Sequence, residues 1–120
     1  MKRILVVEDN EKNMYLMRYI LKSAGYGVIE AGSGEEGVEL AIKEKPDLVI
    51  MDIQLPGIDG LEATRRIRES EAGGKIPIIA VTSYAMAGDR DRILKGGCTG
   101  YIEKPIDPET FLSEIEKHLT

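Results

Sequence analysis

Apolar and polar positions follow two rhythms along this chain. Short aliphatic runs recur at Arg3–Val7, Gly27–Glu30, Leu48–Met51, Ile78–Val81 and Gly100–Ile102. Such runs are nearly continuous rather than alternating, as in strands whose two faces are both covered. Between them lie longer stretches with helical spacing, predicting helices over about Glu11–Ala24, Gly34–Lys45, Asp59–Ser70, Ala87–Gly96 and Pro108–His118. The punctuation agrees. Asn10 can cap the first helix and Gly25 can end it. Pro46 follows the second helix and Gly73-Gly74 the third, while Asp107-Pro108 offers a cap with proline at the first helical position. This alternation predicts an α/β domain: a doubly wound, five-stranded parallel sheet with helices on both faces and right-handed crossovers. No linker, low-complexity tract or long repeat interrupts it, so residues 1–120 are read as one domain.

The first helix carries more apolar residues than one stripe can bury. Met14, Tyr15, Leu16, Met17, Tyr19, Ile20 and Leu21 span too wide an arc. Leu16, Met17 and Ile20 are expected on the sheet. Met14, Tyr15 and Tyr19 are left over, either as ordinary exposed residues or as a docking face for a partner.

Composition narrows the classes. Hydrophobic residues make up 42% of 120 positions but aromatics only 5%, so the core must be aliphatic. The net charge of −5 argues against direct nucleic-acid binding, which draws its affinity from phosphate contacts. Cys98 is the only cysteine, so no intramolecular disulfide forms and redox usage says nothing of compartment. No apolar run approaches the roughly 20 residues of a membrane helix, and Met1 leads almost directly into a strand. The expectation is a soluble cytoplasmic protein without a membrane partner.

The chemistry gathers at the C-terminal ends of the predicted strands, where open α/β sheets bind ligands. Asp52 ends the run from Leu48, Glu8-Asp9 follow the first strand, Thr82-Ser83 the fourth, and Lys104-Pro105 the fifth. Three converging carboxylates repel one another and suit a hard divalent cation such as Mg²⁺. A lysine ammonium suits phosphate or carboxylate oxygens, and the proline after it predicts a fixed loop, a cis bond being one way to fix it. Either hydroxyl could donate to a phosphoryl oxygen; Thr82 is preferred because it lies closer to the strand. Taken singly, each is equally well read as a solvated loop acid, a surface lysine or a helix cap; together they point to a phosphoryl and metal site. The Gly32-Ser33-Gly34-Glu35-Glu36-Gly37 segment matches a dinucleotide fingerprint but follows the wrong strand, and its acids suit a helix N-terminus rather than a pyrophosphate. His118, the single histidine, is placed in the last turn of the last helix and has no metal-ligand companion.

Four pieces, Ile4–Asn10, Met51–Gly60, Val81–Ser83 and Tyr101–Ile106, resemble the response-regulator receiver domain, in the family's order and across essentially the whole chain. The chain is similar to stand-alone receivers of the chemotaxis-regulator or cell-division type, and the stretch from Thr82 to Ile106, with Gly96-Gly97-Cys98, looks closer to the latter and to receivers of hybrid kinases. The resemblance implies a flavodoxin-like sheet of order 2-1-3-4-5. It implies Asp52 as phosphoacceptor, and Mg²⁺ held by Asp9, Asp52 and the Gln54 carbonyl with help from Glu8. Lys104 and Thr82 would bind phosphoryl oxygens, Thr82 and Tyr101 would form the switch, and Gln54 and Tyr84 would set the lifetime of the phosphorylated state. The implied partners are a sensor histidine kinase or histidine phosphotransfer protein and a target docking on the face of helix 4, strand 5 and helix 5. The implied role is a switch rather than an enzyme, its chemistry limited to its own phosphorylation and dephosphorylation. Two positions depart from the family pattern: Glu8 stands where aspartate is commoner, and Ser83 where alanine or another small residue is usual. A binding module that has lost phosphate chemistry and an aspartate-nucleophile phosphatase are the competing readings.

Overall fold

The fold was described from a computed structural model, which covers residues 1–70, 74–83 and 87–119. In chain order the elements are β1 (Arg3–Val7), α1 (Glu11–Ser23), β2 (Gly27–Ala31), α2 (Gly34–Glu44), β3 (Leu48–Asp52), α3 (Gly60–Glu69), β4 (Ile78–Thr82), α4 (Ala87–Lys95), β5 (Gly100–Glu103) and α5 (Phe111–Glu116). All strand pairs are parallel, and the order is β2-β1-β3-β4-β5, as expected.

The sheet's pleat divides the core in two. Leu5, Val7, Val49, Met51, Ile78 and Ala80 face α2, α3 and α4, meeting Ala41, Ala63, Ile67 and Ile93. Ile4, Val6, Leu48, Ile50, Ile79 and Val81 face the other way, against Met14, Met17 and Leu21 of α1 and Phe111 and Ile115 of α5. β1, β3 and β4 are flanked on both sides and sheathed on both faces, which is why their sequences run apolar without alternation. Each such side chain removed from water contributes about 1.5–3 kcal/mol before conformational entropy is set against it.

The helix termini follow the capping chemistry of the sequence. Asn10 Oδ1 accepts from the Asn13 N–H at 3.0 Å, Ser33 Oγ from Glu36 at 3.1 Å, and Asp59 Oδ1 from Glu62 at 2.8 Å. Gly25 follows α1 at φ +92°, a conformation side chains resist. The glycine-rich segment is a helix start packed on the sheet: a Cβ at Gly37 would stand 2.8 Å from Val7 Cγ2.

Three expectations change. Met14 is buried with Met17 and Leu21, while Leu16 and Ile20 are only half-buried. The helix therefore rests on the sheet through an i, i+3, i+7 stripe shifted around its axis from the predicted one. α5 begins at Phe111 rather than Pro108. Asp107 still organises its approach, its Oδ1 accepting from the Glu109 N–H at 2.9 Å and its carbonyl from Phe111 at 2.9 Å. His118 consequently lies beyond the last helical residue. Four strands also run one residue further than predicted, because ladder pairs Val7↔Ala31, Asp52↔Val81 and Thr82↔Glu103 continue the sheet.

After β3 the chain folds back sharply. The Gly60 N–H donates to the Ile53 carbonyl at 3.0 Å. A Cβ at Gly60 would stand inside contact distance of the Asp52 carbonyl and 2.8 Å from Ile53 Cα. Gly60→Ala should therefore push the loop off the strand end and destabilise the protein by about 1–3 kcal/mol, read from the denaturant midpoint. An unchanged midpoint would show that the loop does not bear on Asp52.

Candidate functional site

The central strands deliver their polar residues to one sheet edge because each apolar run ends there. Asp52 and Thr82 are the last residues of β3 and β4, and both are buried. Glu8 follows β1, anchored by its N–H to the Ala31 carbonyl at 3.0 Å, and is buried too. Asp9 next to it is exposed. Carboxylate oxygens of Glu8, Asp9 and Asp52 lie within 4.8 Å of one another.

Lys104 closes the site from β5. Its Nζ lies 3.1 Å from Asp52 Oδ2 and 3.2 Å from Glu8 Oε1. The peptide bond to Pro105 is cis, and the Lys104 N–H donates to the Thr82 carbonyl at 2.8 Å. The lysine backbone is thus tied to the strand that carries the hydroxyl. Asp52 is held at both oxygens, Oδ2 by Lys104 and Oδ1 by the Gln54 N–H at 3.1 Å. Glu8 is held less completely. Its Oε2 accepts from the Asn10 N–H at 3.2 Å, but Oε1 is buried and, although close to Lys104, receives no aligned hydrogen bond. A buried carboxylate oxygen without a donor is costly, and a cation would relieve it.

The electrostatics reflect that shortage of positive charge. Burial, then the hydrogen bond and charge of Asp52, raise the Glu8 carboxyl from 4.5 to about 7, against smaller opposing effects of the Asn10 N–H and Lys104. For Lys104, burial disfavours the ammonium, but Asp52 and Glu8 outweigh it and the net shift is upward. Lys104 thus pairs with two of the three clustered acids, Glu8 and Asp52. Oxygen donors of this number and spacing fit a hard divalent cation such as Mg²⁺.

Most of the remaining sequence candidates reach this edge. Gln54 Nε2 lies 3.5 Å from Thr82 Oγ1, at the limit of a hydrogen bond, which brings two of them together. Ser83 is exposed, in keeping with the preference for Thr82. Tyr101 lies on β5, half-buried, with the Arg90 guanidinium 5.3 Å from its ring centroid. Tyr84 lies outside the described residues. Sequence reasoning missed the Asn10 N–H, Arg90 and the close approach of Gly60; only the Asp59-Gly60 pair carried a signal, as a turn. An open groove of about 820 Å³ runs beside the acids, lined by Asp9, Lys12, Tyr15 and Arg18 among others. Tyr15 and Tyr19 are exposed and stacked with centroids 6.5 Å apart, and Arg18 lies over Tyr15.

Comparison with known proteins sets this geometry in context. Residues 4–116 match the family described as the response regulator receiver domain. The polar-differentiation response regulator DivK of Brucella ovis is 47% identical, over 98% of this chain and 96% of that protein. Among solved structures, the chemotaxis response regulator CheY4 of Vibrio cholerae superposes with a TM-score of 0.94 at 28% identity, covering 99% of each chain. The receiver domain of a Pseudomonas aeruginosa sensor histidine kinase superposes with a TM-score of 0.91 at 36% identity, covering 98% of this chain and 97% of that one. That structure has a magnesium ion coordinated in its active-site cleft.

The raised Glu8 carboxyl has a measurable consequence. Without metal, the folded protein keeps a proton on Glu8 up to about pH 7, whereas the unfolded chain releases it near 4.5. The native state binds more protons across that window, so this contribution is complete below the lower value and lost as pH rises through the upper one. In EDTA, the stability of wild type relative to Glu8→Gln should fall by roughly 2–3 kcal/mol across that window. A difference independent of pH would contradict the assignment.

Proposed function

The chain belongs to the response-regulator receiver family, and from that membership we propose that it is the phosphorylatable switch of a two-component phosphorelay, with Asp52 as phosphoacceptor. The observation that carries the proposal is the Asp52 carboxylate itself. It is buried at a strand end, fixed at both oxygens by the Gln54 N–H and Lys104, and flanked by two further acids.

In this reading an Asp52 oxygen attacks the phosphorus of a phosphohistidine on a sensor kinase or phosphotransfer protein. An O–P bond forms as the P–N bond breaks, and the imidazole nitrogen keeps the electron pair and takes a proton from solvent. The Gln54 N–H keeps the carboxylate oriented for in-line approach. Lys104 and the Thr82 hydroxyl neutralise or hydrogen-bond the arriving phosphoryl oxygens. Glu8, Asp9, Asp52 and the Gln54 carbonyl would hold Mg²⁺, which supplies charge neutralisation to the phosphoryl oxygens. The donor-less Glu8 Oε1 and the spacing of the three acids support that fit.

The phosphoryl group then biases two states of the protein through Thr82 and Tyr101, and the face of α4, β5 and α5 presents the result to a target. Exposed Tyr15, which lines the groove beside the acids, and Tyr19 stacked with it support docking of the phosphodonor protein there. The role is a switch rather than an enzyme, since the tight return from Ile53 to Gly60 offers no cap over an external substrate. A cytoplasmic location fits the proposed partners, and no helix among the described residues is long and apolar enough to cross a membrane.

Incubation with acetyl phosphate, followed by intact mass measurement, tests the proposal. With Mg²⁺ the wild type should gain one phosphoryl group; in EDTA, or with Asp52→Asn, the adduct should fall at least tenfold. No adduct in Mg²⁺ would favour a module without phosphate chemistry, and continuous phosphate release without an accumulating adduct would favour a phosphatase.

A further inference from the structure

Tyr101 is flanked by two features that no catalytic role explains. Its cross-strand partner on β4 is Ala80, whose methyl group is fully buried. Ala80 and Thr82 lie two residues apart on one strand and so share a face of the sheet. Tyr101 packs on that same side, at the border of the core cluster containing Ala80. A small residue here leaves the ring a path along the sheet towards Thr82. The second feature lies outside. Arg90, on α4, is exposed and sets its guanidinium 5.3 Å from the centre of the Tyr101 ring. Its neighbour Arg92 is paired with Asp89 at 3.7 Å. Among the described residues, Arg90 has no carboxylate within ion-pair distance, so the ring is its evident partner.

We propose that Arg90 is a positioning residue for the switch: its cation–π contact holds Tyr101 outward, and release of that contact lets the ring move over Ala80 towards Thr82. The proposal rests on the switch reading above. A contact present in one state and absent in the other stabilises only the first, so it shifts the equilibrium by the full strength of the contact. An exposed cation–π pair of this kind corresponds to about a two- to five-fold change in population. Arg90 touches neither the acids nor Lys104, so it would act on phosphorylation only through the populations of the two states.

The test uses the full chain and beryllofluoride with Mg²⁺ as a phosphoryl mimic. Nuclear Overhauser contacts between the Tyr101 ring and the methyl group of Thr82 report the ring's position directly. In wild type they should be weak, and they should strengthen on adding the mimic. In Arg90→Ala without the mimic they should already be partly strengthened. Arg90→Lys should lie between, and Arg92→Ala should match wild type. The rate of labelling by acetyl phosphate should rise about two- to five-fold in Arg90→Ala and not in Arg92→Ala. If the mimic moves the ring in wild type but Arg90→Ala leaves ring and rate unchanged, the clamp is overturned and the switch stands. If the mimic does not move the ring in wild type, the switch reading and the clamp fall together.

Discussion

Two buried carboxylates share one ammonium at the edge of this sheet, and the rest of the site depends on that shortage. Lys104 reaches Asp52 and Glu8 at about equal distance, 3.1 and 3.2 Å, but gives an aligned hydrogen bond only to Asp52. Asp52 is thereby kept fixed, while the excess negative charge falls on Glu8, whose proton affinity rises. A site with unmet demand for positive charge is prepared for a cation, and with the cation for a phosphoryl group whose oxygens need the same partners. Breaking a buried ion pair by removing one partner costs far more than the pair itself contributes to stability. The arrangement therefore makes better sense as pre-organisation for a ligand than as a source of stability.

The fold supplies the geometry by a simple rule. Parallel strands carry all their C-terminal ends to one edge, and the core strands β1, β3 and β4 sit side by side there. Residues separated by tens of positions, such as Glu8, Asp52, Thr82 and Lys104, become neighbours without any long loop. The short return after Asp52, with Gly60 against the strand backbone, leaves the carboxylate at the edge but out of water. Two separate apolar clusters, one per sheet face, hold that edge rigid.

Much of this was legible in the sequence because strand burial and capping are local signals. The five apolar runs located the strands, and Asn10, Gly25 and Pro46 marked helix boundaries with small errors. Asp52 and Lys104 stood out because charges directly after buried runs must emerge at a sheet edge. What failed depended on packing between elements. Whether Met14 or Leu16 faces the sheet depends on a rotation of α1 that its wide apolar arc does not fix. The turn after Pro108 stops short of the regular helix, which takes Thr110 rather than Asp107 as its N-cap, although Asp107 does accept from the Glu109 N–H. The pairing of Arg90 with Tyr101 joins α4 to β5, and no spacing rule connects them.

Everything in the proposed switch turns on one carboxylate among the clustered acids, Asp52, accepting the phosphoryl group. Borohydride reduction of the phosphorylated protein converts an acyl phosphate to an alcohol, so peptide mapping reads the acceptor from the covalent product. Homoserine is expected at position 52, with Glu8 and Asp9 unmodified. Reduction product at Glu8 or Asp9, with Asp52 intact, would contradict it.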